Sequence, residues 1–343
     1  MRVDGVVDRR FEAVREAFVE VAGGTGAAVA VWSDGHWVVD LWDWRADSIV
    51  MPYSVSKPFA AMGALVLADR GLLDLDAPMR AYWPEFRAPA TIRQVLSHQA
   101  GVVALDEPVA TEVFYDWDRL CGLLAEQEPA WEPGTAHGES ALFYGHLVGE
   151  LVRRVDGRGL GEFLRAEVTG PLGLDFAFGL SAAEQARAVD LTGLEALADT
   201  EDKPELYRRA IGNPPGARDP QVVNSPAWRA AEIPAVNGHG TARAVAGLYA
   251  ALLQGKPLSP GLLGEATTEH CRGTDRVFGQ ETAWGLGFGV YPEGYGMGGL
   301  GGSFAGTADG YAIGFVTAKM GDHDRVDRIE NTVRACLGHP PLS

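Results

Sequence analysis

A serine and a lysine three residues apart are the first candidates for chemistry, in the stretch YSVSKPFAA at residues 53–61. Of the 29 Lys and Arg residues only four are lysines, and Lys57 alone opens an apolar segment, three residues after Ser54. A desolvated lysine, unlike an arginine, can lose its proton. The neutral amine can then activate a serine hydroxyl for attack on a carbonyl carbon. The pair predicts nucleophilic catalysis; the structural alternative is a helix cap followed by a lysine that reaches to solvent.

An apolar helix is needed to hold this pair in place. In residues 53–70, Phe59, Met62 and Leu65 recur at helical spacing, which predicts a buried helix. Ser54 then lies at the helix start, where free N–H groups and the helix dipole favour developing negative charge. Positions i and i+3 share a helix face, so Lys57 is expected beside Ser54.

The order of the remaining elements predicts an α/β fold. Residues 26–42 contain two β-rich runs around Asp34-Gly35, a hairpin signal. The last eighty residues begin with short glycine-separated strands and end in an amphipathic helix, whereas the middle of the chain is mostly helical. We therefore expect an antiparallel sheet flanked by N- and C-terminal helices, with a mostly helical domain inserted into it. The predicted boundaries are 1–62 with 235–343 for the α/β domain and 63–234 for the helical domain, with the active site between them.

Composition narrows the possible partners. The chain has 343 residues, 46% hydrophobic and 22% charged, and a net charge of −17. This acidity disfavours nucleic acid and anionic membranes and favours a neutral or cationic small molecule. No apolar stretch of about 18 residues predicts a membrane span, and no segment resembles a signal peptide. Cys121, Cys271 and Cys336 lack CxxC spacing and are interpreted as reduced cysteines of a cytoplasmic protein. We expect no metal and no cofactor, and the oligomeric state stays open.

Motifs distributed over residues 12–320 resemble the class C β-lactamase-like serine hydrolases. They are YSVSKPFAAMGALVLADRGLLDLDAP, TIRQVLSHQAGV, PGTAHG, LVGELVRRVDGR, AVNGHGTARAVAGLYAAL and GLGGSFAGTADG. The resemblance is strongest to the esterase branch, the family VIII carboxylesterases, which share a fold with penicillin-binding proteins. It implies an α/β sandwich with a helical domain and an active site between the two.

The resemblance also implies roles for particular residues. Ser54 and Lys57 match the S-x-x-K motif as nucleophile and base or proton relay. Where the family has a catalytic tyrosine after PGTAHG, this chain has Glu139. The late-strand motif, normally Lys, His or Trp followed by two small residues, is matched by Met297, Gly298 and Gly299. The oxyanion hole would use the backbone N–H groups of Ser54 and Leu300, each such donor being worth roughly 3–4 kcal/mol.

Glu139 changes the expected proton chemistry. A lysine base must drop from a pKa of about 10.4 toward 7, roughly 4 kcal/mol. A carboxylate about 4 Å away favours the ammonium by about 4 kcal/mol at an effective dielectric near 20. If both groups are close and buried, Lys57 stays charged and Glu139 becomes the better base; if Glu139 faces solvent, Lys57 works alone.

Two further residues are candidates for the walls of the site. His137, in the PGTAHG loop, is expected to shape the cleft through backbone contacts. Tyr144 lies five residues after Glu139, about 140° round a helix that would contain both, so it does not obviously replace the missing tyrosine.

Three functions remain open from the sequence. The first is a serine hydrolase or acyltransferase that acts on a small ester, thioester or amide through an acyl-enzyme on Ser54. The second is a repurposed scaffold in which Glu139 serves as acid or base for a non-acyl tailoring reaction in secondary metabolism. The third is a catalytically silent protein that binds a small ligand. β-Lactam hydrolysis is disfavoured because the tyrosine of the second motif is missing.

Overall fold

A computed structural model describes residues 3–22, 24–197 and 202–342. Residues 198–201, which fall in the predicted helical domain, lie outside this description. The strands are β1 Asp4–Val7, β2 Ala27–Ser33, β3 His36–Trp42, β4 Phe176–Ala177, β5 His239–Gly240, β6 Cys271–Thr274, β7 Glu281–Trp284, β8 Gly289–Tyr291, β9 Gly294–Gly298, β10 Phe304–Ala308 and β11 Tyr311–Thr317.

Helices occupy much of the rest of the described chain. They are α1 Glu12–Ala22, α2 Lys57–Asp69, α3 Ile92–Leu96, α4 Trp117–Glu126, α5 Tyr144–Asp156, α6 Leu160–Leu164, α7 Ala182–Gln185, α8 Glu205–Gly212, α9 Pro220–Val223, α10 Pro226–Ala230, α11 Ala242–Leu253, α12 Pro260–Ala266 and α13 Asp324–Leu337.

Strands from both ends of the chain form one antiparallel sheet of nine strands, in the order β1-β3-β2-β11-β10-β9-β8-β7-β6. The predicted hairpin joins β2 and β3 through Asp34 and Gly35, whose φ angles of 52° and 85° suit a two-residue hairpin turn. β2 pairs with β11, which links the N-terminal hairpin to the C-terminal strands. The predicted α/β fold with an antiparallel sheet is therefore confirmed.

The two faces of the sheet are covered by different helices. Side chains alternate along a strand, so Val29 and Val31 of β2 face α1 and α13, while Ala28 and Ala30 face the opposite core. That second core contains α11 and helix α2, of which residues 57–67 are all buried. Because both faces are covered, the central strands are apolar on both sides.

The residues between β3 and β5 contribute one short strand, β4, within the part of the chain that the structure describes, and are otherwise helices and loops. The domain boundaries 1–62, 63–234 and 235–343 stay a prediction. No described helix has the length and apolarity that a membrane crossing requires. Cys121, Cys271 and Cys336 are free thiols.

Two predicted helix starts differ from the observed ones. The helix predicted to contain Ser54 begins at Lys57, and Ser54 lies in the 3₁₀ turn Tyr53–Ser56 that precedes it. The helix considered for both Glu139 and Tyr144 begins only at Tyr144. The carbonyl of Ala141, which precedes α5, accepts a hydrogen bond from the Lys57 side chain at 3.0 Å instead of one from a helix amide.

Candidate active site

The turn before α2 places Ser54 and Lys57 side by side. In a 3₁₀ turn residues i and i+3 eclipse, which brings the Lys57 side chain over that of Ser54. Pro58 supplies the φ angle of the first helical turn without needing a backbone donor. The Lys57 Nζ lies 2.7 Å from the Ser54 Oγ. The sequence therefore predicted this contact, although not the type of turn that makes it.

Lys57 is almost completely buried, and four oxygen atoms surround its amine. Besides the Ser54 Oγ, these are the carbonyls of Ala141 at 3.0 Å and Ala235 at 3.2 Å, and the Glu139 Oε1 at 2.9 Å. Burial lowers the pKa of Lys57, and the charge of Glu139 opposes that shift. An ammonium shares its three N–H donors among these four oxygens, the Ser54 Oγ included.

Glu139 contacts both Ser54 and Lys57 from the loop that precedes α5. Its Oε1 lies 3.3 Å from the Ser54 Oγ, and its side chain is 14% exposed. Glu139 therefore meets the condition of being both close to Lys57 and largely buried. It is not part of α5, which begins five residues later, so the helical geometry considered for Glu139 and Tyr144 does not apply.

Two side chains far away in the sequence hold the Glu139 loop. The Glu139 amide donates to the Asp275 Oδ2 at 2.9 Å, and the Ser140 amide donates to His98 Nδ1 at 3.2 Å. Asp275 also accepts the amides of Val277 and Phe278. Burial raises the pKa of the Asp275 carboxyl, and the nearby Glu139 charge raises it further. Sequence reasoning missed Asp275 and His98, because no local pattern links positions 98, 139 and 275.

The end of β9 approaches the nucleophile from the opposite side. A Cβ on Gly299 would lie 2.0 Å from the Pro52 carbonyl oxygen, so only glycine allows the strand to pass this close to the turn that carries Ser54. Leu300 follows directly. Within the described chain, the amides of Ser54 and Leu300 donate to no backbone or side-chain acceptor. These are the two donors expected to form the oxyanion hole.

One cavity of about 990 Å³ connects these groups. Ser54, Glu139, Met297, Gly299 and Leu300 all line it. Met297, where the family has a polar residue, is 3% exposed and faces the cavity as an apolar wall. The structure therefore brings together most of the candidate residues, and the size of the cavity suits a small-molecule substrate.

The structure does not bring Tyr144 or His137 to the wall of this cavity. Tyr144 is fully buried, and its hydroxyl donates to the Leu96 carbonyl at 3.2 Å. His137 Nε2 lies 2.9 Å from the Thr282 hydroxyl. His137 accepts the Arg276 amide at its backbone carbonyl, which fixes the loop that carries Glu139.

Several lining residues of the cavity were not singled out from the sequence. They include Tyr207, Arg218, Phe278 and Tyr291. They come from helix α8, from two loops and from the end of β8, and no shared motif marks them. Among the described residues, no group of three His, Cys, Asp or Glu side chains is arranged to hold a metal ion.

Comparison with known proteins identifies the family and the fold. The model of the β-lactamase family matches residues 11–336. The esterase/beta-lactamase LipL of Mycobacterium tuberculosis is 34% identical over a region that covers 74% of this chain and 65% of LipL. The chain thus spans slightly less than two thirds of the length of that relative.

Solved structures extend the likeness over the whole chain. A structure described as a family VIII carboxylesterase has a TM-score of 0.90 at 34% identity, with 98% of this chain and 100% of that chain covered. A penicillin-binding protein homolog from Caulobacter crescentus has a TM-score of 0.83 at 34% identity, with the same coverage. The chain therefore belongs to the β-lactamase family, among the β-lactamase-like serine hydrolases that its motifs indicated.

Proposed function

We propose that this protein is a serine hydrolase that cleaves small esters through an acyl-enzyme on Ser54. The observation that carries the proposal is the 2.7 Å contact between the Lys57 Nζ and the Ser54 Oγ at the wall of a substrate-sized cavity. The family relatives named as esterases support the same class of reaction.

Acylation needs a base for the Ser54 proton. The Glu139 Oε1, 3.3 Å from the hydroxyl, takes this proton as the Ser54 Oγ bonds to the ester carbonyl carbon. Lys57 remains an ammonium, which holds the Oγ by donation and offsets the negative charge that develops there. The free amides of Ser54 and Leu300 stabilise the oxyanion of the tetrahedral intermediate.

Collapse of the intermediate completes the transfer. The bond from the carbonyl carbon to the alcohol oxygen breaks, and protonated Glu139 returns its proton to the leaving alkoxide. Water then attacks the acyl carbon as Glu139 again accepts a proton. The bond from that carbon to the Ser54 Oγ breaks, Glu139 returns the proton to the Oγ, and the carboxylic acid leaves. A second alcohol or amine in place of water would turn the same steps into acyl transfer.

Turnover of 4-nitrophenyl acetate tests this proposal. We expect Ser54→Ala to lower kcat/KM by about 10³-fold or more, because the nucleophile is lost. Ser33→Ala is the matched control and should keep its turnover, since Ser33 is a buried serine at the end of β2 that does not line the cavity. Undiminished turnover by Ser54→Ala would reject the acyl-enzyme.

The position of Glu139 favours one alternative function. A carboxylate that lines the cavity and contacts Lys57 could move protons on a bound ligand without Ser54, as an acid and base for a non-acyl reaction. In that case Ser54→Ala would keep activity on the true substrate and Glu139→Gln would abolish it. The opposite pattern would exclude this alternative.

A further inference from the structure

Arg218 lines the same cavity as Ser54 and is tied to the turn that carries it. Tyr53, the residue before Ser54, donates its hydroxyl to the carbonyl of Ala217 at 3.0 Å. Ala217 directly precedes Arg218 in the loop between α8 and α9. The backbone next to Arg218 is therefore tied to the turn that carries the nucleophile.

The guanidinium of Arg218 has no partner among the described residues. Its Nε and Nη1 atoms are shielded from solvent and make no hydrogen bond, and it forms no ion pair. Arg209 and Arg229 also leave their Nε unpaired, but their other nitrogens bind Asp106 and Asp190. Arg218 as a whole is half-buried, so its remaining nitrogen, Nη2, is open to an anion from outside the chain.

Two carboxylates of the cavity wall are already engaged. The Glu139 Oε1 forms an ion pair with the Lys57 Nζ at 2.9 Å. The Glu281 Oε1 accepts a hydrogen bond from the Thr274 hydroxyl at 2.6 Å. Arg272, the other arginine of the wall, is paired with Glu269 at 2.6 Å. Arg218 is thus the arginine of the described cavity wall that is available to a ligand.

A guanidinium N–H donates a charge-assisted hydrogen bond to a carboxylate, and Nη2 is the nitrogen of Arg218 that is open to one. Tyr207 and Phe278 line the same cavity with their rings 5.5 Å apart, which adds an apolar surface for the rest of a ligand. The net charge of −17 opposes an anion at long range, but charges are screened beyond about 8 Å at physiological salt. Contact with Arg218 then decides affinity inside the cavity.

We infer that Arg218 is a carboxylate-binding subsite, and that the preferred substrates are small esters with a carboxylate group on the acyl or the alcohol side. The inference rests on the proposed esterase function for turnover, but not for binding of the anion.

Matched pairs of esters test the substrate preference. 4-Acetoxybenzoate carries the anion on the alcohol side, and the mono-4-nitrophenyl ester of adipic acid carries it on the acyl side; the methyl ester of each is the neutral control. We expect wild type to prefer one of the anions by at least about tenfold in kcat/KM, the size of a charge-assisted hydrogen bond. Arg218→Gln should remove the preference and Arg272→Gln should keep it. No preference for either anion, or its persistence in Arg218→Gln, overturns the inference.

Calorimetry separates this subsite from the proposed function. 4-Acetoxybenzoate should bind Ser54→Ala at least about tenfold more tightly than it binds the Ser54→Ala/Arg218→Gln double variant, whether or not the wild type turns it over. Equal binding to both overturns the subsite, while turnover of the neutral esters would leave the esterase proposal standing.

A folding defect of Arg218→Gln would not prevent the test. In that case wild-type turnover of methyl 4-acetoxybenzoate is inhibited with 4-hydroxybenzoate and with 4-hydroxybenzamide. Inhibition at least about tenfold stronger by the carboxylate supports the subsite, and equal inhibition overturns it.

Discussion

The Glu139 Oε1 lies 2.9 Å from the Nζ of Lys57, whose side chain is 1% exposed. Burial and the carboxylate act on Lys57 in opposite directions, and burial is the larger effect on its pKa. The two backbone carbonyls that share the amine reduce the cost of keeping it charged. Both groups contact the Ser54 hydroxyl. In the proposed mechanism Glu139 removes its proton, and the Lys57 ammonium stabilises the negative charge that develops on its oxygen.

Replacing Glu139 by Gln should both slow the reaction and move its pH profile. Loss of the base should lower kcat/KM by about 10²- to 10⁴-fold. Glu139 raises the pKa of Lys57, so without its charge that pKa lies lower. Because the mechanism uses the ammonium, activity is present below the pKa of Lys57 and lost as pH rises through it.

We therefore expect the alkaline limb of kcat/KM against pH to shift to lower pH in Glu139→Gln. Rates from pH 6 to 10 give this limb directly. Glu281→Gln, another carboxylate of the cavity wall, should leave the limb in place. A rate that instead rises with pH through the same limb would mean that neutral Lys57 is the base.

Gly299→Ala should damage catalysis through the backbone. Its Cβ would lie 2.0 Å from the Pro52 carbonyl oxygen, and neither backbone segment can yield cheaply. Displacement of Leu300 weakens the oxyanion hole, so we expect kcat to fall by about 10²- to 10³-fold with a smaller change in KM. Strain should also lower the free energy of unfolding by about 1–3 kcal/mol.

Gly264→Ala is the matched control for this substitution. Gly264 lies in helix α12 with nothing within 4 Å of an added Cβ, and alanine favours the helix by roughly 0.5–1 kcal/mol. Thermal unfolding and 4-nitrophenyl acetate kinetics of both variants separate strain from catalysis. If Gly299→Ala behaves like Gly264→Ala, the close passage of β9 has no catalytic importance.

Glu330 in α13 should make stability depend on pH. It is 5% exposed, it accepts the Tyr311 hydroxyl at 2.6 Å, and burial raises its pKa from 4.5 to about 7. Between these values the unfolded chain has lost the proton that the folded chain keeps, so stability falls as pH rises. The full loss is about 3 kcal/mol by pH 8.

Glu330→Gln removes this titration. Urea unfolding at pH 5 and pH 8 should show that the wild type loses more stability than the variant over this interval. Equal losses in both proteins would place the folded-state pKa of Glu330 near its ordinary value.

Local patterns were sufficient for the parts of the site that are close in sequence. The spacing of Ser54 and Lys57 and the apolar positions of α2 predicted their contact, because one turn of helix fixes both. The Asp34-Gly35 turn likewise predicted the β2–β3 hairpin. The resemblance to the family added Gly299 and Leu300, which lie more than 240 residues from Ser54 and now share its cavity.

Contacts between distant loops could not be predicted. The hydrogen bonds of Asp275 and His98 to the Glu139 loop exist only after the sheet and the helices have come together. Tyr144 was considered on a helix that would contain Glu139, but the loop continues to residue 143. Arg218 belongs to no motif, and its unpaired state becomes visible only when its surroundings are known.

Covalent labelling of the intact protein with a fluorophosphonate probe tests the reactivity of Ser54 most directly. Peptide mass spectrometry of folded wild type should find one adduct, on Ser54, and labelling should be slower by about 10²-fold or more in Glu139→Gln, since the proton acceptor is gone. Folded wild-type protein that forms no adduct on Ser54 would contradict an activated nucleophile at this position.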